Sequence, residues 1–325
     1  MSDEAIDFEA VAAQLLRALR GTRSQPAASR RIGHKSNVLY AWESGRRWPT
    51  AARFLHFAER MQVDVRAALV RFYGSEPAWL SHVPAATQQG VAALLDDLRG
   101  DRSVAELARA AGKTRSSVSR WLSGHTEPRL PDFLRMIELC SLRMLDFVAE
   151  LVPPVQLPAL AARWRALEAA RKLAYDAPWT HAVLRALELS EYQRLPAHEP
   201  GWIAARLGLS RADEDAALAL LRQSGQISRR AGRYAPRAVT TVDTRRDARA
   251  EGSLKRWTSA MALERMQRDG DGQFSTNLFT VSARDFERLR DLQRAYFRQL
   301  RAIVAESEPA ERVAIVNLQL FGLDR

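Results

Sequence analysis

The sequence predicts a mainly α chain: two N-terminal helix-turn-helix domains, then a winged-helix-like module and a small α+β C-terminal domain. Three observations carry that expectation. Residues 15–59 and 94–138 are one segment written twice, offset by 79 without a gap, with 16 of the 45 paired positions identical. Apolar residues up to residue 223 recur at helical spacing between glycine and proline stops. After residue 272 two runs alternate with a period of two instead. A period of 79 is too long for a solenoid repeat, so it marks two small domains in tandem.

In the first copy, Phe8–Arg20 reads as an amphipathic helix with Val11, Leu15 and Leu19 on one side. Ser24 caps a second helix, and Gly33 supplies the left-handed turn into a third, Ser36–Glu43. Val38, Leu39 and Trp42 face the core, which leaves Lys35, Ser36, Asn37 and Tyr40 on the open side. Gly45 and Pro49 stop that helix, and Ala51–Met61 and Val65–Phe72 follow as a fourth and a fifth. In the second copy Ser103 and Glu106 form a capping box and Gly112 makes the turn. Arg115–Leu122 then turns Val118 and Trp121 inward and Thr114, Arg115, Ser116, Ser119 and Arg120 outward.

The expected bounds are 1–75 and 91–152, joined by a linker over 76–90. The connector Tyr73–Gly90 holds Pro77, Pro84 and small polar residues; read as a free tether, its ~18 residues extend to roughly 55–60 Å. Two readers on such a tether predict an asymmetric or direct-repeat-like site.

Pro153, Pro154 and Pro158 open the C-terminal half. Over 159–240 the order is helix (159–175), helix (Trp179–Leu189), helix (Gly201–Leu207), a third helix capped by Ser210 and running to Gln223, and a hairpin with Gly232 at its tip. That is a winged-helix-like order. Arg229, Arg230 and Arg233 would put cations on the wing, whereas Asp213, Glu214 and Asp215 would repel DNA from the helix before it. The residues leave open whether this module touches DNA or serves a structural or protein-facing role. Over 250–325 the expectation is an α+β unit: strands at Phe274–Val281, after an Asp271-Gly272 turn, and at Val313–Phe321, with helices at Leu254–Met266 and Ala283–Ala305. Dimerisation or sensing is the expected task of this end.

Charge narrows the function. The net charge is +11, and it is clustered: +9 over 15–72, zero over 94–150 and +6 over 222–249. Clustered positive charge is the footprint of a phosphate-gripping protein. In the second copy no acid lies between Leu107 and Thr126, so Lys113, Arg115 and Arg120 make a local basic face.

At this point the run Trp42-Glu43-Ser44-Gly45-Arg46-Arg47-x-Pro49 resembles the end of the recognition helix in Cro/Xre-type (lambda-repressor-like) domains. Gln25 stands where that family commonly has a glutamine bracing phosphate and recognition helix. Departures are Pro26 and Ser29 in the first copy, and Val104 for the glutamine and Leu122 for the glutamate in the second. Residues 179–235 and 316–323 look like a family of bacterial regulator paralogues that couple an N-terminal DNA-binding region to a C-terminal domain of unknown function, over roughly 160–325.

The resulting expectation is a bacterial, sequence-specific DNA-binding transcriptional regulator. Lys35, Ser36, Asn37, Tyr40, Thr114, Arg115, Ser116, Ser119 and Arg120 would read base edges; Arg20, Gln25, Arg46, Arg47, Arg99 and Lys113 would grip phosphates. Double-stranded DNA is the expected partner, with a homodimer through the C-terminal half and an unidentified small-molecule or protein effector. The alternatives are a protein-interaction adaptor or antitoxin-like partner that binds DNA for autoregulation, and an architectural binder that bends DNA.

No enzyme is expected. The six histidines are scattered, and no P-loop, G-x-G-x-x-G or G-x-S-x-G run occurs. No metal or cofactor site is expected, since the single Cys140 lies in an apolar helical stretch and allows neither an intramolecular disulfide nor a cysteine-based zinc cluster. With an acidic N-terminus and no run of 18 apolar residues, the expected location is the cytoplasm, on the nucleoid, away from membranes.

Overall fold

The computed structural model describes residues 6–237, 248–268, 272–305 and 307–324. Asp271 of the predicted turn and residues 238–247 of the third basic cluster lie outside the described residues. The fold is mainly helical, and the chain divides into two compact units, 1–165 and 166–325.

Among the described residues the first unit holds ten complete α-helices. The first copy contributes α1 (Phe8–Arg20), α2 (Gln25–Arg31), α3 (Val38–Glu43), α4 (Ala51–Arg60) and α5 (Val65–Tyr73). The second contributes α6 (Gln88–Arg99), α7 (Val104–Ala111), α8 (Arg115–Leu122), α9 (Leu130–Ser141) and α10 (Met144–Leu151). The caps follow the sequence. Asp7 accepts from Glu9 N and Ala10 N, Ser24 from Ala27 N, and Ser103 and Glu106 close their box. Gly33 and Gly112 turn between paired helices at φ +81° and +64°, where an L side chain is strained.

Two expectations about this unit need correction. First, the copies are not separate domains on a tether. One core runs from Val11 to Leu160, with Phe147 edge-on to Phe72 at 5.8 Å and to Phe133 at 5.7 Å. α1 packs on α9, α4 on α6, and α5 on α10. The linker over 76–90 is docked: Ala78–Ser81 is a 3-10 turn packed on α6, and Pro77, Leu80, Ala85 and Gly90 are buried. A Cβ at Gly90 would overlap the carbonyls of Pro84 and Ala85. Pro77, which reads as loop punctuation, is buried here, and a tether spanning 55–60 Å does not exist.

Second, α3 starts at Val38 rather than Ser36, because Asn37 is its N-cap. The Asn37 Oδ1 accepts from Tyr40 N at 3.3 Å and from the Ser29 hydroxyl at 3.3 Å, and Ser29 Oγ in turn accepts from Leu39 N at 3.2 Å.

α11 (Pro158–Asp176) carries the chain into the second unit. There α12 (Trp179–Ala186), α13 (Ser190–Arg194), α14 (Trp202–Leu207), α15 (Arg211–Gln223) and the antiparallel hairpin β1 (Ile227–Arg230) with β2 (Arg233–Pro236) follow the predicted order, with α13 added. Their core gathers Val183, Leu187, Tyr192, Ile203, Leu218 and Ile227. α16 (Ala248–Gln267) and α17 (Ala283–Ala305) come next.

The two predicted end strands are overturned: among the described residues neither 274–281 nor 313–321 forms a ladder. Alternation makes a strand only where a sheet partner takes its backbone groups, and none does here. The second segment instead follows the helices through side chains: Asn317 Nδ2 and Gln319 Nε2 reach Ser259 Oγ at 3.2 and 2.8 Å, and Gln293 Nε2 donates to the Leu318 carbonyl at 3.2 Å.

His181 on α12 is half-buried, and burial, with the Arg185 charge acting the same way, pushes its imidazole down to about 4. The unfolded chain takes that proton near pH 6.5. The second unit is therefore expected to lose stability as pH falls from about 6.5 to about 4, by up to about 3 kcal/mol. Thermal melts across that window check it: His181→Gln should flatten the fall in midpoint, and an unchanged slope would assign it to other groups.

Candidate nucleic-acid interface

The surface around α3 begins with a buried charge. Glu43 ends α3 with only 4% exposure. Its Oε1 takes Arg20 Nε at 2.6 Å, and its Oε2 takes Gln25 Nε2 at 2.7 Å and Arg20 NH2 at 3.3 Å. Arg17 NH2 donates to the Glu43 carbonyl at 2.7 Å. Three helices are thereby clamped: α1, α2 and α3. Arg20 is committed to this network, and Gln25 braces α3 from within the protein. In the second copy the equivalent positions hold Val104 and Leu122, both half-buried against the core, so apolar packing stands where the first copy has a polar network.

Lys35, Ser36 and Asn37 just ahead of α3, and Tyr40 on its outer face, are exposed. Arg46 stacks its guanidinium over the Tyr40 ring at 5.2 Å, and Arg46 and Arg47 are both exposed. Asn37 is exposed but its amide oxygen already caps α3, so a bidentate grip on adenine, which needs both amide atoms, is not available to it. Its Nδ2 donor remains. The cap also accounts for Ser29, which stands where the resembling family commonly has alanine: its buried hydroxyl, 1% exposed, is what holds Asn37 in place. The pairing of Ser29 with Asn37 was the signal in the sequence, and its role was not read there.

On α8, Val118 is fully buried and Trp121 is 8% exposed, while Arg115, Ser116, Ser119 and Arg120 lie in solvent. Thr114 is the N-cap: its Oγ1 accepts from Ser117 N at 3.2 Å and lies 3.1 Å from Ser116 Oγ. Two predicted phosphate cations are engaged elsewhere. Lys113 Nζ pairs with Asp132 at 2.9 Å, and Arg99 binds Asp96 at 2.7 Å and the Arg102 carbonyl at 2.9 Å. Acids on the following or the same helix neutralise them, which the local run of letters around each does not display.

In the second unit Glu214 is fully buried and accepts from Gly201 N at 3.0 Å and Ala204 N at 2.5 Å, capping α14 from across the fold. It therefore does not stand among the exposed acids at the start of α15, where Asp213 and Asp215 remain. His198 lies 3.5 Å from Glu214 and 3.2 Å from the Tyr192 hydroxyl; burial holds its imidazole below the usual range despite the Glu214 charge. On the hairpin Arg229 leans over the Tyr234 ring at 5.9 Å, Arg230 is exposed and Arg233 is half-buried. A cleft of about 310 Å³ opens beside it, lined among others by His198, Arg211, Asp215, Arg222 and Tyr234.

Among the described residues no three His, Cys, Asp or Glu side chains are grouped to hold a metal ion, and no helix is long and apolar enough to cross a membrane.

The model of a domain of unknown function, DUF4423, matches residues 159–323, half of the chain. The chain belongs to the DUF4423 family. A helix-turn-helix model matches residues 97–147 of this DUF4423 protein, from the last turn of α6 to the first half of α10. The N-terminal unit thus contains a helix-turn-helix of the kind found in Cro/Xre-type DNA-binding regulators, ahead of a C-terminal domain of unknown function. The match falls on the second copy, whereas the Trp42–Pro49 run that carries the resemblance lies in the first. No curated protein and no solved structure matches the DUF4423 protein.

Proposed function

We propose that the chain is a sequence-specific DNA-binding transcriptional regulator that presents two helices, α3 and α8, to the major groove. It is a binding protein rather than an enzyme, and it works in the cytoplasm on chromosomal DNA. The observation that supports this most is α8. Inside the matched helix-turn-helix, Val118 and Trp121 anchor the helix while Arg115, Ser116, Ser119 and Arg120 stay in solvent. Arginine suits guanine, and the hydroxyls suit several bases. α3 and the turn that leads into it offer Lys35, Ser36, Tyr40 and the Asn37 amide donor, with Arg46 and Arg47 at the exit for phosphates. No base reading is assigned to α15, whose first turn exposes Asp213 and Asp215.

The C-terminal unit, on this reading, pairs two chains. Of 18 large hydrophobic residues exposed among the described ones, 15 lie between Leu263 and Leu323. At roughly half exposure each, they leave apolar area on the order of 1,000 Å² in solvent, comparable in size to one side of a standard interface.

Selection of bound duplexes from a random pool, followed by competition with scrambled DNA, tests the reading. The enriched sequence should bind at least ~1,000-fold tighter than the scrambled one. Equal affinity would leave an architectural binder. Sedimentation equilibrium tests the pairing, and a monomer at micromolar concentration would overturn it.

A further inference from the structure

The two copies are joined by their own equivalent residues. Thr50 forms an isolated antiparallel bridge with Arg129, the residue 79 positions on, which is the repeat offset. The two flanking hydrogen bonds are mates under the same offset: Ala51 N donates to the Pro128 carbonyl at 3.0 Å, and Leu130 N donates to the Pro49 carbonyl at 3.0 Å. Arg71 Nε binds Glu150 at 2.7 Å, again 79 apart. α5 packs on its own equivalent α10, and the α1–α9 contact has its mate in α6–α4. An antiparallel bridge between a residue and its own counterpart carries a local two-fold axis. A head-to-tail tandem would instead join unlike surfaces.

We infer that the N-terminal unit is an intramolecular pseudo-dimer, and that one chain reads two unlike half-sites in inverted order about one DNA turn apart. The inference rests on the DNA-binding reading above and replaces the direct-repeat expectation drawn from the supposed tether. B-DNA has two-fold axes of its own, so readers related by a two-fold meet inverted sequences. The chain length admits that spacing. From Glu43 to Thr50 and from Leu122 to Arg129 the chain runs seven residues, so each helix end lies at most ~25 Å from the bridge. The ends are then within about 55 Å of each other, an upper bound that includes the ~34 Å of one turn. The half-sites differ because the faces differ: Lys35, Ser36 and Tyr40 on one, Arg115, Ser119 and Arg120 on the other.

The bridge is also where the test acts. Thr50 and Arg129 form the non-hydrogen-bonded type of antiparallel pair, with Cα atoms near 4.5 Å, inside disulfide range. The full-length Thr50→Cys/Arg129→Cys variant is therefore expected to close an intrachain disulfide. Cys140, half-buried with its thiol pushed up to about 12 by burial, stays a spectator. Oxidised protein should enrich, from random duplexes, an inverted pair of unlike half-sites about 10 base pairs apart centre to centre. Its affinity should stay within about threefold of the reduced form. A direct repeat, or two identical halves, overturns the inference. So does a loss of tenfold or more on oxidation that reductant reverses, since the copies would then have to part on DNA. A disulfide that forms while neither redox form enriches any duplex overturns the DNA reading itself, and the half-site inference with it, while the two-fold geometry stands.

Discussion

Replacing Glu43 with alanine is expected to destabilise the N-terminal unit by about 3 kcal/mol, because it removes the acceptor that a partly buried guanidinium and an amide share. Arg20 and Gln25 both end on that carboxylate, and Arg17 holds the backbone carbonyl of the same residue. With the carboxylate gone, Arg20 keeps its charge in a site only 21% exposed. The second copy shows the other solution, with apolar Val104 and Leu122 packed on the core at the equivalent positions. The paired change Gln25→Val/Glu43→Leu should therefore recover the part of the loss that comes from the stranded Gln25 amide, with Arg20 still unpaired, while Glu43→Leu alone should not. Urea unfolding of the single, paired and parent proteins checks this through the midpoint of the transition at constant slope. A single variant that costs less than about 1 kcal/mol, or a pair as damaged as its worse member, would show that the carboxylate is not what holds α1, α2 and α3 together.

Replacing Arg46 and Arg47 together with alanine is expected to weaken binding to every duplex, by about 10- to 100-fold at low salt, and to lower the slope of log affinity against log salt by about two. Each phosphate contact releases close to one counterion, and both side chains are exposed, one stacked on Tyr40. The matching change at Arg20 and Arg99 should leave the salt slope alone, since Glu43 and Asp96 already neutralise those cations. It should lower stability instead. Filter-binding or anisotropy titrations from 50 to 200 mM salt separate the two pairs. An unchanged slope for the Arg46/Arg47 variant, or an equal drop for Arg20/Arg99, would reverse the assignment.

Local rules made much of the fold legible. Helix starts at Ser24, Ser103 and Ser210, the turns at Gly33 and Gly112, and the hairpin tip at Gly232 depend on a few neighbouring residues. Inward Val118 and Trp121 followed from period alone, and with them the outward side chains of α8. Charge was less legible. Arg20, Arg99, Lys113 and Glu214 are counted in the sequence as surface charges, and each has a fold partner that changes its meaning. The runs at 274–281 and 313–321 alternate as strands do, yet a strand is defined by a neighbour that the alternation does not supply.

By itself the chain's order of residues determined that a unit occurs twice, where its helices begin and end, and which side chains each helix turns outward. Those depend on contacts a few residues long and on a pattern of burial that any copy of the segment repeats. How the copies face one another was decided only in three dimensions. A tethered tandem and a two-fold pair share the same letters, and the choice rests on long-range contacts: Thr50 against Arg129, α5 against α10, and a connector that buries Pro77 and Leu80 rather than swinging free.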